Sequence, residues 1–206
     1  MLADISYPPF PRCVDDFEHY YYLKKNWDNS YNTLSEINKV LNLQFNGDAS
    51  FSIVVAGSYG RMEASPESDL DYIIITEGEN LGNINKIRQK IIEIIKDFKI
   101  PLPNDTGVFA QTRPKKQIID IIGDMEDDLV SLAQRLLLIM ETKAIYNEDL
   151  FKKTIDEILR KYLEYVIDDP KKEAIFLLND LIRYFRSIAV NYQYNFWKDN
   201  AKWTIR

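Results

Sequence analysis

Apolar residues in the first part of the chain recur at intervals of three and four, with Phe17, Tyr21, Leu34, Ile37, Val40 and Leu41 on one stripe. That spacing predicts helix over residues 14–43, broken in two by the turn-forming run Asp28-Asn29-Ser30. Ahead of it, Pro8, Pro9 and Pro11 mark an extended arm. The pattern then changes. Residues 51–56 are a short β-rich apolar run between Asp48 and Gly57, which predicts a buried strand. Residues 57–65 turn into a short helix. Residues 69–76 predict a second strand, with Tyr72, Ile73, Ile74 and Ile75 supplying the β propensity. Helical periodicity returns over residues 83–98, where Ile84, Ile87, Ile91, Ile94 and Ile95 share a face. Residues 107–112 form a third, weaker strand pattern, and residues 117–122 fit either a strand or the approach to a helix.

Beyond that point the pattern is helical throughout. One helix is expected over residues 124–142, with Asp124, Glu126, Asp127 and Asp128 favourably placed at its start. Asn147 caps a second helix running to residue 166. Asp169-Pro170, a cap followed by proline at the first helical position, starts a third that runs to residue 197. The chain divides into a helical lead-in (1–45), a small α/β core (46–123) and a helical C-terminal segment (124–206), with no internal repeat and no low-complexity stretch.

Composition narrows the chemistry. Hydrophobic residues make up 46% and charged residues 28% of 206, the balance of a folded globular protein. The formal net charge of −6 disfavours wholesale binding to nucleic-acid backbones. Cys13 is the single cysteine and His19 the single histidine. Disulfides, cysteine clusters and multi-histidine zinc sites are therefore excluded, as is any histidine-based triad away from His19. His19 reads as a surface or packing residue and Cys13 as inert. A catalytic metal would have to sit among carboxylates, which points to Mg2+ or Mn2+. No signal-peptide pattern or membrane-length apolar run is visible, so a cytoplasmic location with no membrane partner is the expectation.

The stretch from Ser52 to Tyr72 concentrates the candidate chemistry. The first strand ends at Gly57, where glycine permits a tight turn and close approach by a ligand. Ser58 and its neighbours open a helix, so their N–H groups lack intrahelical acceptors and suit a phosphate. At the start of the second strand, Asp69 and Asp71 alternate with Leu70 and so share a face. Two adjacent carboxylates repel, and cations between them relieve that repulsion.

This stretch resembles the signature of the DNA polymerase β-like nucleotidyltransferase superfamily: Gly-Ser, a spacer of about ten residues, then Asp-x-Asp between one strand and the next. Gly57, Ser58, Arg61, Glu63, Ala64, Ser68, Asp69, Leu70 and Asp71 carry the match. The resemblance implies an α+β fold: a small mixed β-sheet core with helices on one side, followed by a C-terminal helical bundle. It also implies a nucleoside triphosphate donor, ATP first among them, and release of pyrophosphate. Gly57, Ser58, Arg61 and Ser68 become candidates for holding the triphosphate, although an arginine at the position of Arg61 more often packs and pairs around this loop than touches substrate. Asp69 and Asp71 become the metal ligands and catalytic acids. The superfamily places a third acid on a later strand. Asp120, within the alternating Ile118-Ile119-Asp120-Ile121-Ile122, is the candidate, and Asp105 its rival, which also suits a turn. A second resemblance, to nucleotidyltransferases related to bacterial PII-uridylyltransferase, rests on Gly107-Val108-Phe109, Arg135-Leu136-Leu137-Leu138 and the run from Glu141 to Tyr146.

Several residues have plainer readings. Tyr184, Phe185, Tyr192, Tyr194 and Phe196 sit at helical spacing and suit packing between helices, with a base-stacking platform as the rival. Arg183 and Arg186 suit phosphate binding or surface pairs with Asp180 and Glu173. Lys115 and Lys116 read as a solvated loop. Three functions are compatible with all this. The first is transfer of a nucleoside monophosphate to a hydroxyl of a protein or small molecule. The second is a catalytically weakened nucleotide-binding regulator. The third is an interaction protein that binds a partner through its helical half.

Overall fold

The computed structural model describes residues 20–78, 81–103, 108–109, 112–164 and 174–198. In chain order these form α1 (Tyr21–Phe45), β1 (Phe51–Val55), α2 (Gly57–Gly60), β2 (Tyr72–Thr76), α3 (Leu81–Asp97), α4 (Lys115–Ile119), α5 (Leu129–Met140), β3 (Lys143–Tyr146), α6 (Glu148–Leu163) and α7 (Ile175–Lys198). The class is α+β. Cys13, His19, Asp105 and the Asp169-Pro170 start signal lie outside the described residues.

The three strands lie in the order β2-β1-β3, and both pairings are antiparallel. β1 is central and buried along its whole length, because alternate residues feed two different cores. Ile53 and Val55 join Tyr72, Ile74 and the α1 and α3 side chains Leu34, Ile37, Ile91 and Ile95 on one face. Val54, Ile73 and Ile75 join Leu132, Leu136, Ile158 and Tyr184 of the helical segment on the other.

Several expectations change on contact with the fold. Asp28-Asn29-Ser30 does not break α1, because each polar side chain has a partner. Lys24 donates to Asp28 at 2.6 Å, Asn29 donates to the Ala64 carbonyl at 3.1 Å, and Ser30 donates to the Asn26 carbonyl while accepting from Ala64 N–H at 3.0 Å. The run thus anchors the loop ahead of β2 to the helix. Val108 and Phe109 lie in a turn, and the rest of that weak strand pattern lies mostly outside the described residues. The 117–122 pattern resolves as helix and turn: Ile118 and Ile119 are buried side by side on α4, which a strand with one exposed face would not allow. α5 starts later than the acidic run suggested. Asp128 is its N-cap and accepts from Ser131 N–H at 2.7 Å, while Asp124 closes the preceding turn by accepting from Glu126 N–H. Asn147 caps α6 as expected, accepting from Leu150 N–H at 3.2 Å.

β3 was not anticipated. It comes from the C-terminal segment yet pairs with β1, with an irregularity between Ile53 and Val54. Lys115 is not in a solvated loop either; it is buried at the start of α4 and bridges Glu77 and Glu157 at 3.0 Å each.

The helical segment is organised around Arg135, which is fully buried. Its guanidinium donates to Tyr162 OH at 2.6 Å, to the Ile118 carbonyl at 2.8 Å, and to Asp127 and Asp180. Tyr162 in turn donates to Asp180 at 2.6 Å, and Arg183 pairs with Asp180 at 3.1 Å. Arg183 therefore finds the partner expected of it, but Asp180 is buried within this network. Among the described residues, no helix is long and apolar enough to cross a membrane.

Candidate active site

The site forms where β1 ends and β2 begins. Gly57 follows directly on the strand and adopts φ +58°, a left-handed conformation that favours glycine. α2 is a single turn, closed by Gly60 N–H on the Ala56 carbonyl and Arg61 N–H on the Gly57 carbonyl. A single turn leaves the leading N–H groups of Gly57 and Ser58 without intrahelical acceptors.

The acids sit beside that turn. The Ala56 N–H donates to the Asp71 carbonyl at 3.0 Å, so the β1–β2 ladder continues one step past the strand and sets Asp71 opposite the start of α2. Asp71 Oδ2 lies 3.1 Å from where a Cβ on Gly57 would stand. Leu70 is buried, while Asp69 is exposed and Asp71 half-buried, the alternation expected from the sequence. Burial, then the neighbouring charge of Asp69, then that of Glu141, push the Asp71 carboxyl up to about 6. Among the described residues, no lysine or arginine forms an ion pair with either aspartate.

The other anticipated residues fall as follows. Arg61 pairs with Glu63 at 3.0 Å and with Glu141 at 2.5 Å. Ser68 is a turn-former: its Oγ accepts from Ser65 N–H at 3.0 Å, and its own N–H donates to the Ser65 carbonyl. Asp120 is not on a strand. It is the exposed C-cap residue of α4, and the charges felt at Asp71 are those of Asp69 and Glu141. Among the described residues, no three acids, cysteines or histidines gather in a group able to hold a metal.

Glu141 is the residue that the sequence did not single out. It follows α5 directly and precedes β3, and its backbone carbonyl packs so closely on Gly60 that a Cβ there would collide with it. The signal was present in the stretch from Glu141 to Tyr146, but as part of a resemblance and not as a site. Tyr184 of α7 belongs to the same neighbourhood. It is buried and its hydroxyl is pushed up to about 12, by burial first and then by the charges of Glu141 and Tyr192, against the opposing pull of Arg61. The helical segment therefore closes over one side of the turn.

The donor set suits a hard divalent cation at the pair itself. Two mutually repelling carboxylates, one of them desolvated, gain most from an added positive charge, and the glycine leaves space beside Asp71 that a side chain would fill.

A strand-to-turn glycine is thus set against two neighbouring acids on a small sheet, with helices over both faces. The chain belongs to the nucleotidyltransferase domain family, whose model matches residues 34–203, from within α1 to beyond α7. Its general activity is nucleotidyl transfer from a nucleoside triphosphate. No curated protein and no solved structure matched the chain.

Proposed function

We propose that this chain transfers a nucleoside monophosphate, from ATP before other donors, to a hydroxyl of a protein or small-molecule acceptor. In that reaction the acceptor hydroxyl releases its proton to solvent as its oxygen bonds to the α-phosphorus, the bond between that phosphorus and the bridging oxygen breaks, and pyrophosphate leaves. Gly57 and Ser58 take the triphosphate through N–H groups and the Ser58 hydroxyl, with Arg61, which closes the same turn, and Ser68, in the turn ahead of β2, as further contacts. Asp69 and Asp71 hold Mg2+ or Mn2+, which supplies charge neutralisation at the reacting phosphate when bound. The observation that carries this reading is Asp71 itself: half-buried, repelled by Asp69, and lying 3.1 Å from the Cβ position that Gly57 leaves vacant. The division at residues 45 and 123, and the kinship with PII-uridylyltransferase-related enzymes, belong to the same proposal.

The test is incubation with each labelled nucleoside triphosphate, Mg2+ and a cell lysate. Covalent labelling lost in Asp69→Ala/Asp71→Ala supports the site, and equal labelling in both proteins overturns it. A second reading, nucleotide binding with weakened catalysis, draws on the absence of a third gathered acid among the described residues. Binding without pyrophosphate release would favour it, and loss of turnover in Asp120→Asn would restore Asp120 as the third acid.

A further inference from the structure

Two repelling carboxylates draw in any mobile cation nearby. Arg61 ends the turn that borders Asp71, yet it is bound elsewhere. Its Nε donates to Glu63 at 3.0 Å and its Nη1 donates to Glu141 at 2.5 Å. These are different nitrogens of one rigid plane. A guanidinium held at one nitrogen swings about that contact, whereas one held at two has its plane fixed. Nη2 makes no hydrogen bond among the described residues, and the arginine side chain is 44% exposed. One corner of the fork is therefore presented unpaired at the end of the turn.

The two grips on Arg61 are unequal. Glu63 lies two residues away in the same loop and is well exposed, so its pair holds weakly. Glu141 comes from 80 residues away and is mostly covered. Backbone sets its place. Its N–H donates to the Leu137 carbonyl at 3.0 Å, Thr142 Oγ1 donates to the Leu138 carbonyl at 3.0 Å, and its own carbonyl sits where a Cβ on Gly60 would stand. Tyr184 reaches the same corner from α7. It is buried, whereas Phe185, Tyr192, Tyr194 and Phe196, the other aromatic residues expected to pack between helices, are exposed. Charge orders the groups along the turn. That of Glu141 reaches Asp71, while that of Arg61 reaches Tyr184 and is not among those felt at Asp71. Arg61 thus lies beyond Glu141 as seen from the acid pair.

We infer that Glu141 is a positioning residue for nucleotidyl transfer: its carboxylate holds Arg61 off the acid pair and leaves Nη2 free for the outer phosphates of the triphosphate. This role rests on the proposed use of the Gly57–Ser58 turn by a triphosphate. The full chain is titrated in Mg2+ with ATP, and with AMP by displacement of ATP. Loss of one charge-assisted hydrogen bond corresponds to about tenfold in affinity. Glu141→Gln and Arg61→Lys should each lower the preference for ATP over AMP by about tenfold, and the double variant should lose no more than either alone. Equal weakening of ATP and AMP would assign Glu141 to support of the fold and overturn the inference, as would additive losses in the double variant. If Glu141→Gln does not fold, Glu141→Asp keeps the charge but withdraws it by one methylene; the ATP-to-AMP ratio must then fall, and an unchanged ratio overturns the inference. A parent chain that binds no triphosphate, or binds it equally well after Asp69→Ala/Asp71→Ala, sinks the reading of the whole site. Normal binding by the parent with an unaltered ratio in the Glu141 variants sinks the role of Glu141 alone.

Discussion

Asp71 is the residue where the fold and the proposed chemistry pull in opposite directions. Its carboxyl is raised from 3.8 to about 6 in the folded chain, so the folded state holds that proton more tightly than the unfolded one. The stability this contributes is complete below pH 3.8 and is lost as pH rises through about 6. At neutral pH the ionised group therefore costs the fold, by about 1–2 kcal/mol once partial solvent screening is allowed for. Asp71→Asn should accordingly be more stable than the parent at pH 7.5 in chelator-treated buffer and indistinguishable from it near pH 4, while losing nucleotidyl transfer. Denaturant melts at the two pH values check the sign; a destabilised Asn variant at pH 7.5 would contradict it. The pairing of Gly57 with Asp69 and Asp71 was legible in the sequence because strand alternation and a glycine turn are local rules. Glu141 was not legible, because its proximity to Asp71 depends on α5 returning the chain to the far edge of the sheet. No local pattern encodes that return.

Among elements, α2 shows how one short turn carries two different constraints. Gly57 has a positive φ, and a Cβ there would meet a carboxylate oxygen at 3.1 Å, the mobile end of a side chain. Gly60 has an ordinary φ, but a Cβ there would strike the backbone carbonyl of Glu141, with the Val55 carbonyl at 3.0 Å behind it. Backbone cannot swing aside as a carboxylate can. Gly60→Ala should therefore cost about 2–3 kcal/mol through overpacking, and Gly57→Ala about 1–2 kcal/mol through its left-handed conformation. In activity the order should reverse, since Gly57 borders the acids and Gly60 borders the α5–β3 corner. Thermal melts and transfer assays on the two variants test both rankings together. The elements that the sequence mis-stated fail for related reasons. β3 has four residues, begins with a lysine and pairs irregularly with β1, so it has too little alternation to announce itself. The 117–122 run stayed open between a strand and the approach to a helix, because Ile118 and Ile119, followed by Ile121 and Ile122, fit either period until neighbouring helices decide. Asp120 accordingly sits at the end of a helix and not on the later strand that the resemblance implied.

At the scale of the whole molecule, β1 is the shared wall of two cores, and Arg135 is the polar centre of one of them. Its guanidinium links α5 to α4, α6, α7 and Asp127, so four separate segments depend on one buried cation. Removing that charge leaves the buried Asp127 and Asp180 with only Arg183, itself partly exposed, as a cationic partner. One-sided loss of a buried pair typically costs about 3–5 kcal/mol, and Arg135→Ala should fall in that range. The effect should also cross the sheet. Val54 packs on the Arg135 side, while Ile53 and Val55, its neighbours on the same strand, pack with α1 and α3. A strand cannot lose one face and keep the other. Trp27 packs against the α1 side, and Trp197 and Trp203 are the other tryptophans, so a Trp197→Phe/Trp203→Phe background leaves a single reporter remote from Arg135. In that background Arg135→Ala should shift the Trp27 fluorescence transition and the far-UV circular dichroism transition to lower denaturant by the same amount. Separation of the two curves would mean that the helical layer melts alone, and that β1 does not couple the cores as its alternating burial implies.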